Sequence, residues 1–261
     1  MKVPQRALLL VLAVLVTGSG ASAQTPTGDS RRSGFEFMGR STQAMQKDDT
    51  LNPAMLWVKE GESLWSQPAS QGGKACVACH AAASSSMRGV AARYPAFDAR
   101  LSRPLTLGQR INQCRQHHQN ATPLRAESQE LLSLEAYVAM QSRGLPLVPP
   151  ADERLAPFRQ RGEQRFMQRM GQLNLSCAQC HDNHAGGRLA SSLIPQAHPT
   201  GYPVYRLEWQ ALGSLQRRLR GCMSGVRAEP FAYDTQELVE LELYLAARAK
   251  DMVMETPGVR P

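Results

Sequence analysis

Two stretches of this chain carry the same five-residue pattern, Cys76-Val77-Ala78-Cys79-His80 and Cys177-Ala178-Gln179-Cys180-His181. On a helix, positions i, i+3 and i+4 share a face, so two thiols and an imidazole at this spacing can address one planar ligand together. The chemistry that uses this order is covalent attachment of c-type haem, in which the sulfurs take the vinyl groups and the histidine coordinates iron. A redox dithiol is normally single and sits in a βαβ setting, which the sequence lacks. Two copies therefore predict two covalently bound c-type haems, held by Cys76, Cys79, Cys177 and Cys180, with His80 and His181 as axial ligands.

Each iron needs a second axial ligand. Methionine is common in electron-transfer cytochromes, and Met140, Met170 and Met223 are available. The two cysteines outside the motifs, Cys114 and Cys222, are the other source. Each follows its own motif and precedes a closing helical segment, so equivalent position suggests one thiolate for each iron. A Cys114–Cys222 disulfide is the rival in an oxidising compartment. His117 and His118 are further candidates at the first iron, and His184 would lie near the edge of the second haem. A thiolate pushes electron density onto iron and favours the ferric state, which suits a site where sulfur itself reacts.

The elements that must position these residues come in two copies. Gly61-Glu62 and Gly162-Glu163 each begin fifteen residues before the first motif cysteine, with Trp65 opposite Phe166. Downstream, Leu107-Gly108 through Cys114 aligns with Leu212-Gly213 through Cys222. The closing segments begin near Ser128 and Thr235 and place apolar residues at helical spacing. Prolines 146, 149, 150 and 157 interrupt any helix between the copies. The expected fold is all-α: two tandem pseudo-symmetric cytochrome c domains, each with its motif on an N-terminal helix and one covalent haem. The first spans residues 51–144 and the second 158–261, with a linker at 145–157. Residues 24–50 form a polar extension expected to wrap loosely.

The first 23 residues have the order of a secretory signal: Lys2 and Arg6, the apolar run Ala7 to Val16, then Ala21-Ser22-Ala23. Cleavage after Ala23 and a periplasmic location are expected. The apolar run is too short to span a bilayer, and no later segment is apolar enough to do so. The chain has 30 Lys and Arg against 22 Asp and Glu, a net charge of +8. Dispersed basic charge with few aromatics argues against a nucleic-acid partner. Arginine's planar fork suits small oxyanions instead.

Together these residues resemble the SoxA family, the catalytic subunits of the SoxAX cytochrome, an L-cysteine S-thiosulfotransferase of bacterial thiosulfate oxidation. The resemblance rests on CVACH with Cys114, on CAQCH with Cys222, and above all on Arg218-x-x-x-Cys222-Met223 followed by Arg227-Ala228. Retention of Cys76, Cys79, His80 and Cys114 makes the likeness one to the dihaem type. It implies that Cys222 ligates the second iron, often as a persulfide, and is the active-site sulfur, while Cys114 ligates without catalysis. It implies a SoxX partner, a small monohaem cytochrome c, and a second substrate on the SoxYZ carrier protein, whose cysteine is joined to thiosulfate as an S-thiosulfonate with release of two electrons. Arg218, one helical turn before Cys222, would then hold the sulfonate oxygens. Arg110 stands at the same distance before Cys114, so the choice of Cys222 rests on the resemblance. Arg217 and Arg220 read as a solvated basic face. The alternative is a non-enzymatic dihaem electron carrier with methionine ligands and structural spare cysteines.

Overall fold

The computed structural model describes Met1 and residues 29–261; the expected signal peptide lies outside the described residues. Residues 31–261 form one compact unit. Its scaffold is two crossed helix pairs. In the first half α1 (Arg40–Lys47) and α2 (Met55–Ser66) precede α3 (Cys76–His80), α4 (Ala83–Ser86), α5 (Leu107–His118) and α6 (Gln129–Met140). In the second, α7 (Ala156–Met167), α8 (Cys177–His181), α9 (Leu215–Gly225) and α10 (Gln236–Arg248) follow the same order as α2, α3, α5 and α6.

The repeated glycines explain how the pairs cross. A Cβ on Gly61 of α2 would stand 2.0 Å from the Ser133 carbonyl oxygen of α6, and a Cβ on Gly162 of α7 would stand 2.0 Å from that of Glu240 on α10. Only glycine permits so close an approach of two backbones. Beside each crossing an aromatic pair packs, Trp65 with Tyr137 at 5.9 Å and Phe166 with Tyr244 at 5.4 Å between ring centroids. Under the second crossing, buried Glu240 is held by Arg161 at 2.7 Å and by Arg165.

Local chemistry sets the helix boundaries. Ser128 caps α6 by accepting from the Leu131 N–H, Thr106 closes a capping box with Gln109 at α5, and Ser214 accepts from the Arg217 N–H at α9. The sequence places each Cys-x-x-Cys-His motif on an N-terminal helix; in the structure each instead stands on its own one-turn helix, α3 or α8. Pro68 and Gly72, the latter at φ +73°, break the chain between α2 and α3.

The fold is mainly helical but not all-α. The described residues add three small sheets: β1 (Ala96–Asp98) against β2 (Arg103–Leu105), β3 (Arg188–Leu189) against β4 (Ser192–Leu193), and β5 (Val204–Arg206) between antiparallel β6 (Ala211–Gly213) and parallel β7 (Gly258–Arg260). Strands of two or three residues are too short to display alternation. They also correct the register of the repeat. Leu212 lies in β6, so it is Leu215, the first residue of α9, that corresponds to Leu107, the first of α5; in both helices the cysteine is the eighth residue.

Neither connecting segment hangs free. Leu147 N–H donates to the Met252 carbonyl, and Pro146 pairs with Val253 as an isolated bridge. The extension expected to wrap loosely folds into a capped 3-10 turn, Gly34–Phe37, followed by α1.

Candidate functional site

Because α9 runs unbroken from Leu215 to Gly225, Arg218 and Cys222 lie one turn apart on one face. Both line a cavity of about 470 Å³ with His181 from α8. His181 stands beside Cys222, close enough to act on its thiol. One ring nitrogen, Nδ1, lies 2.6 Å from the Pro195 carbonyl oxygen. A carbonyl only accepts, so Nδ1 carries a proton and Nε2 is the nitrogen that would face a metal.

Cys222 is half-buried. Burial pushes its thiol up, but His181 and the Arg218 and Arg206 guanidinium groups outweigh that, and the net direction is down. Its neighbour Cys177 moves the other way, pushed up to about 11 chiefly by burial. Arg218 also faces this cavity, and among the described residues no hydrogen bond or ion pair holds its guanidinium.

Several lining residues carry no local signal in the sequence. Phe37 and Met38 reach the cavity from the N-terminal segment, joined by Tyr202, Arg206, Arg260 and His198. Arg260 is occupied by Gln46 at 2.5 Å and by Glu255 at 3.5 Å. No local motif marks these positions; a Tyr-Pro pair at 94–95 and again at 202–203 was the available signal.

The first half assembles the same residue types differently. Cys114 of α5 is half-buried and close enough to Cys76 and Cys79 to sense their charge; burial, the largest influence, pushes its thiol up although Arg110 opposes. Gln119 Nε2 donates to Cys76 Sγ at 3.3 Å, and His80, exposed, lies 5.7 Å from the Trp65 ring. Arg110, the counterpart of Arg218, is fully engaged by Asp98 at 2.9 Å, Gln113 at 2.7 Å and Tyr94.

All six cysteines are free. Met223 is buried in a cluster with Phe166 and Leu241, against which Met170 packs, and Met140 packs in another cluster. His117 and His118 are exposed at the end of α5, their rings 6.5 Å apart, and His184 is exposed. Arg217 stacks over Trp209 at 4.1 Å, and Arg220 over Tyr233 at 4.4 Å while donating to the Phe231 carbonyl, so both have structural partners rather than a purely solvated role.

The model of the SoxA/TsdA cytochrome c domain matches residues 60–147 and again 161–254. The L-cysteine S-thiosulfotransferase subunit SoxA of Pseudaminobacter salicylatoxidans is 33% identical over 247 residues, covering 94% of this chain and 86% of the relative. The chain belongs to the SoxA family. The SoxA subunit of Rhodovulum sulfidophilum is 34% identical over 232 residues, 89% of this chain and 81% of the relative. A chain in the crystal structure of SoxXA from P. pantotrophus superposes with a TM-score of 0.85 at 30% identity, covering 88% of this chain and 87% of that one.

A SoxA-family cytochrome c domain implies haem, and the second site fits one. The cavity volume lies within the range of about 300–1,000 Å³ usual for ligand pockets. Leu215, Leu219 and Leu245 line it, and His181 offers its Nε2. Among the described residues of this SoxA chain, no helix is long and apolar enough to cross a membrane.

Proposed function

We propose that this chain is the catalytic subunit of an L-cysteine S-thiosulfotransferase that joins thiosulfate to a cysteine of the SoxYZ carrier, working as a periplasmic heterodimer with the monohaem cytochrome SoxX. It is read as two tandem cytochrome c domains with two covalent haems, one on Cys76 and Cys79 with His80 and Cys114 as axial ligands, the other on Cys177 and Cys180 with His181 and Cys222. The observation that carries the reading is the convergence on one cavity of Cys222, His181 and an Arg218 that is unpaired among the described residues.

In this account the Arg218 guanidinium draws the thiosulfate dianion in and holds its sulfonate oxygens, leaving the sulfane sulfur toward Cys222. The Cys222 thiolate forms a sulfur–sulfur bond to that sulfane sulfur as two electrons depart. Haem, when bound, supplies the acceptor for electrons leaving one at a time toward SoxX. The carrier thiolate then attacks the sulfane sulfur, the bond to Cys222 breaks, and Cys222 returns as a thiolate while the carrier leaves as S-thiosulfonate. The displacement moves no further electrons, so the pair released in the first step is the whole yield. The low-lying Cys222 thiol favours the anion at both steps.

The test is turnover of thiosulfate with SoxX and carrier in Cys222→Ala. Turnover should vanish while both haems stay covalently attached; persisting turnover would remove Cys222 as the catalytic sulfur.

A further inference from the structure

The two halves place a tyrosine, an arginine and a cysteine in the same order: Tyr94, Arg110, Cys114 and Tyr202, Arg218, Cys222. In each, the strand that follows the tyrosine ends at the same step along the chain, β1 at Asp98 and β5 at Arg206. In the first half Asp98, only 4% exposed, neutralises Arg110 directly, and Gln113 takes a further donor. In the second half both acceptors are replaced: the counterpart of Asp98 is Arg206, and that of Gln113 is Gly221, around which an added Cβ would meet nothing.

Building on the function proposed above, we infer that Arg206 is a second substrate-binding arginine, forming with Arg218 a two-guanidinium clamp for a small dianion beside Cys222, and that the Asp98-to-Arg206 exchange separates the reactive half from the inert one. Arg206 lines the same cavity as Arg218 and Cys222 and is close enough to both to sense their charge. Its side chain is 12% exposed. Its Nη2 pairs with Glu208 at 2.7 Å, but Glu208 is 65% exposed, and an ion pair so wet is weak. Among the described residues, its buried Nε has no hydrogen-bond partner. Two like charges facing one cavity repel each other until an anion arrives, so part of the binding energy of a dianion is relief of that repulsion. A carboxylate at that position, as in the first half, consumes the arginine and repels the dianion.

The experiment is thiosulfate titration of the haem-loaded complex without carrier, followed by steady-state turnover with it, for wild type, Arg206→Ala, Arg206→Lys and Arg206→Asp. The clamp predicts thiosulfate affinity about ten- to hundredfold weaker and KM raised to match in Arg206→Ala, a charged hydrogen bond being lost. Arg206→Asp should be weaker still and Arg206→Lys intermediate, with kcat changed less than KM and weaker salt dependence. Should Arg206→Asp fail to hold haem, the Ala and Lys variants decide alone. Unchanged affinity and KM in Arg206→Ala overturn the inference, as does a shift of haem potential with no change in affinity, which would assign Arg206 to the haem carboxylates. Wild-type turnover with an insensitive Arg206 defeats this inference and leaves the function standing. Arg206-dependent binding without wild-type turnover does the reverse.

Discussion

Glu135 and Glu242 occupy the same place on α6 and α10, and both line one cavity of about 130 Å³. Gln216 Nε2 donates to Glu242 at 2.7 Å, while among the described residues no hydrogen bond reaches the Glu135 carboxyl. Burial, with the nearby carboxylates of Asp234 and Glu127, pushes Glu242 up to about 8, and burial and Glu242 hold Glu135 well above the usual carboxylate range. The cost of ionising these groups falls on the folded state.

This sets a direction for stability against pH. Below about pH 4.5 Glu242 is protonated folded and unfolded, so it brings no penalty; as pH rises from there to about 8, only the folded state keeps the proton and stability falls, levelling above 8. The decline is on the order of a few kcal/mol. Glu242→Gln should flatten the slope of the denaturation midpoint between pH 5 and 9 in the haem-loaded protein. A slope equal to wild type would contradict it.

The helix crossings give a second prediction. Gly61→Ala and Gly162→Ala must each force a methyl against a carbonyl oxygen and push a helix pair apart, at a cost of about 1–3 kcal/mol or more. Gly221→Ala, in open space, should match wild type or gain up to about 1 kcal/mol of helix stability. Thermal unfolding separates the cases, and wild-type melting in both crossing variants would refute the close approach.

The family and much of the fold were legible in the sequence because repeated motifs and backbone collisions leave fixed signatures. The two Cys-x-x-Cys-His stretches, the Gly61 and Gly162 counterparts and the Ser128 cap are all dictated locally. What escaped depended on contacts distant in sequence. Strands as short as β6 have no period, so the sequence pairs Leu212 with Leu107, and that false register hides Arg206 as the counterpart of Asp98. Phe37 and Met38 reach the cavity from a polar segment whose composition says nothing of where it packs.

Arg218→Ala should raise KM for thiosulfate about ten- to hundredfold, since its guanidinium lines the cavity with Cys222 and, among the described residues, has no other partner. Arg218→Lys should recover part of that, because an ammonium supplies the charge without the fork. Steady-state kinetics across both variants checks this, and equal KM values in Ala, Lys and wild type would take Arg218 out of the site.

The central claim is that Cys222 carries the thiosulfate group. Mass spectrometry of the oxidised complex, quenched after mixing with thiosulfate in the absence of carrier, measures that directly. The account predicts a reductant-labile thiosulfate adduct on the peptide bearing Cys222, lost on adding carrier thiol and absent at Cys114. An adduct on Cys114, or an unmodified Cys222 in a preparation that turns over, would contradict it.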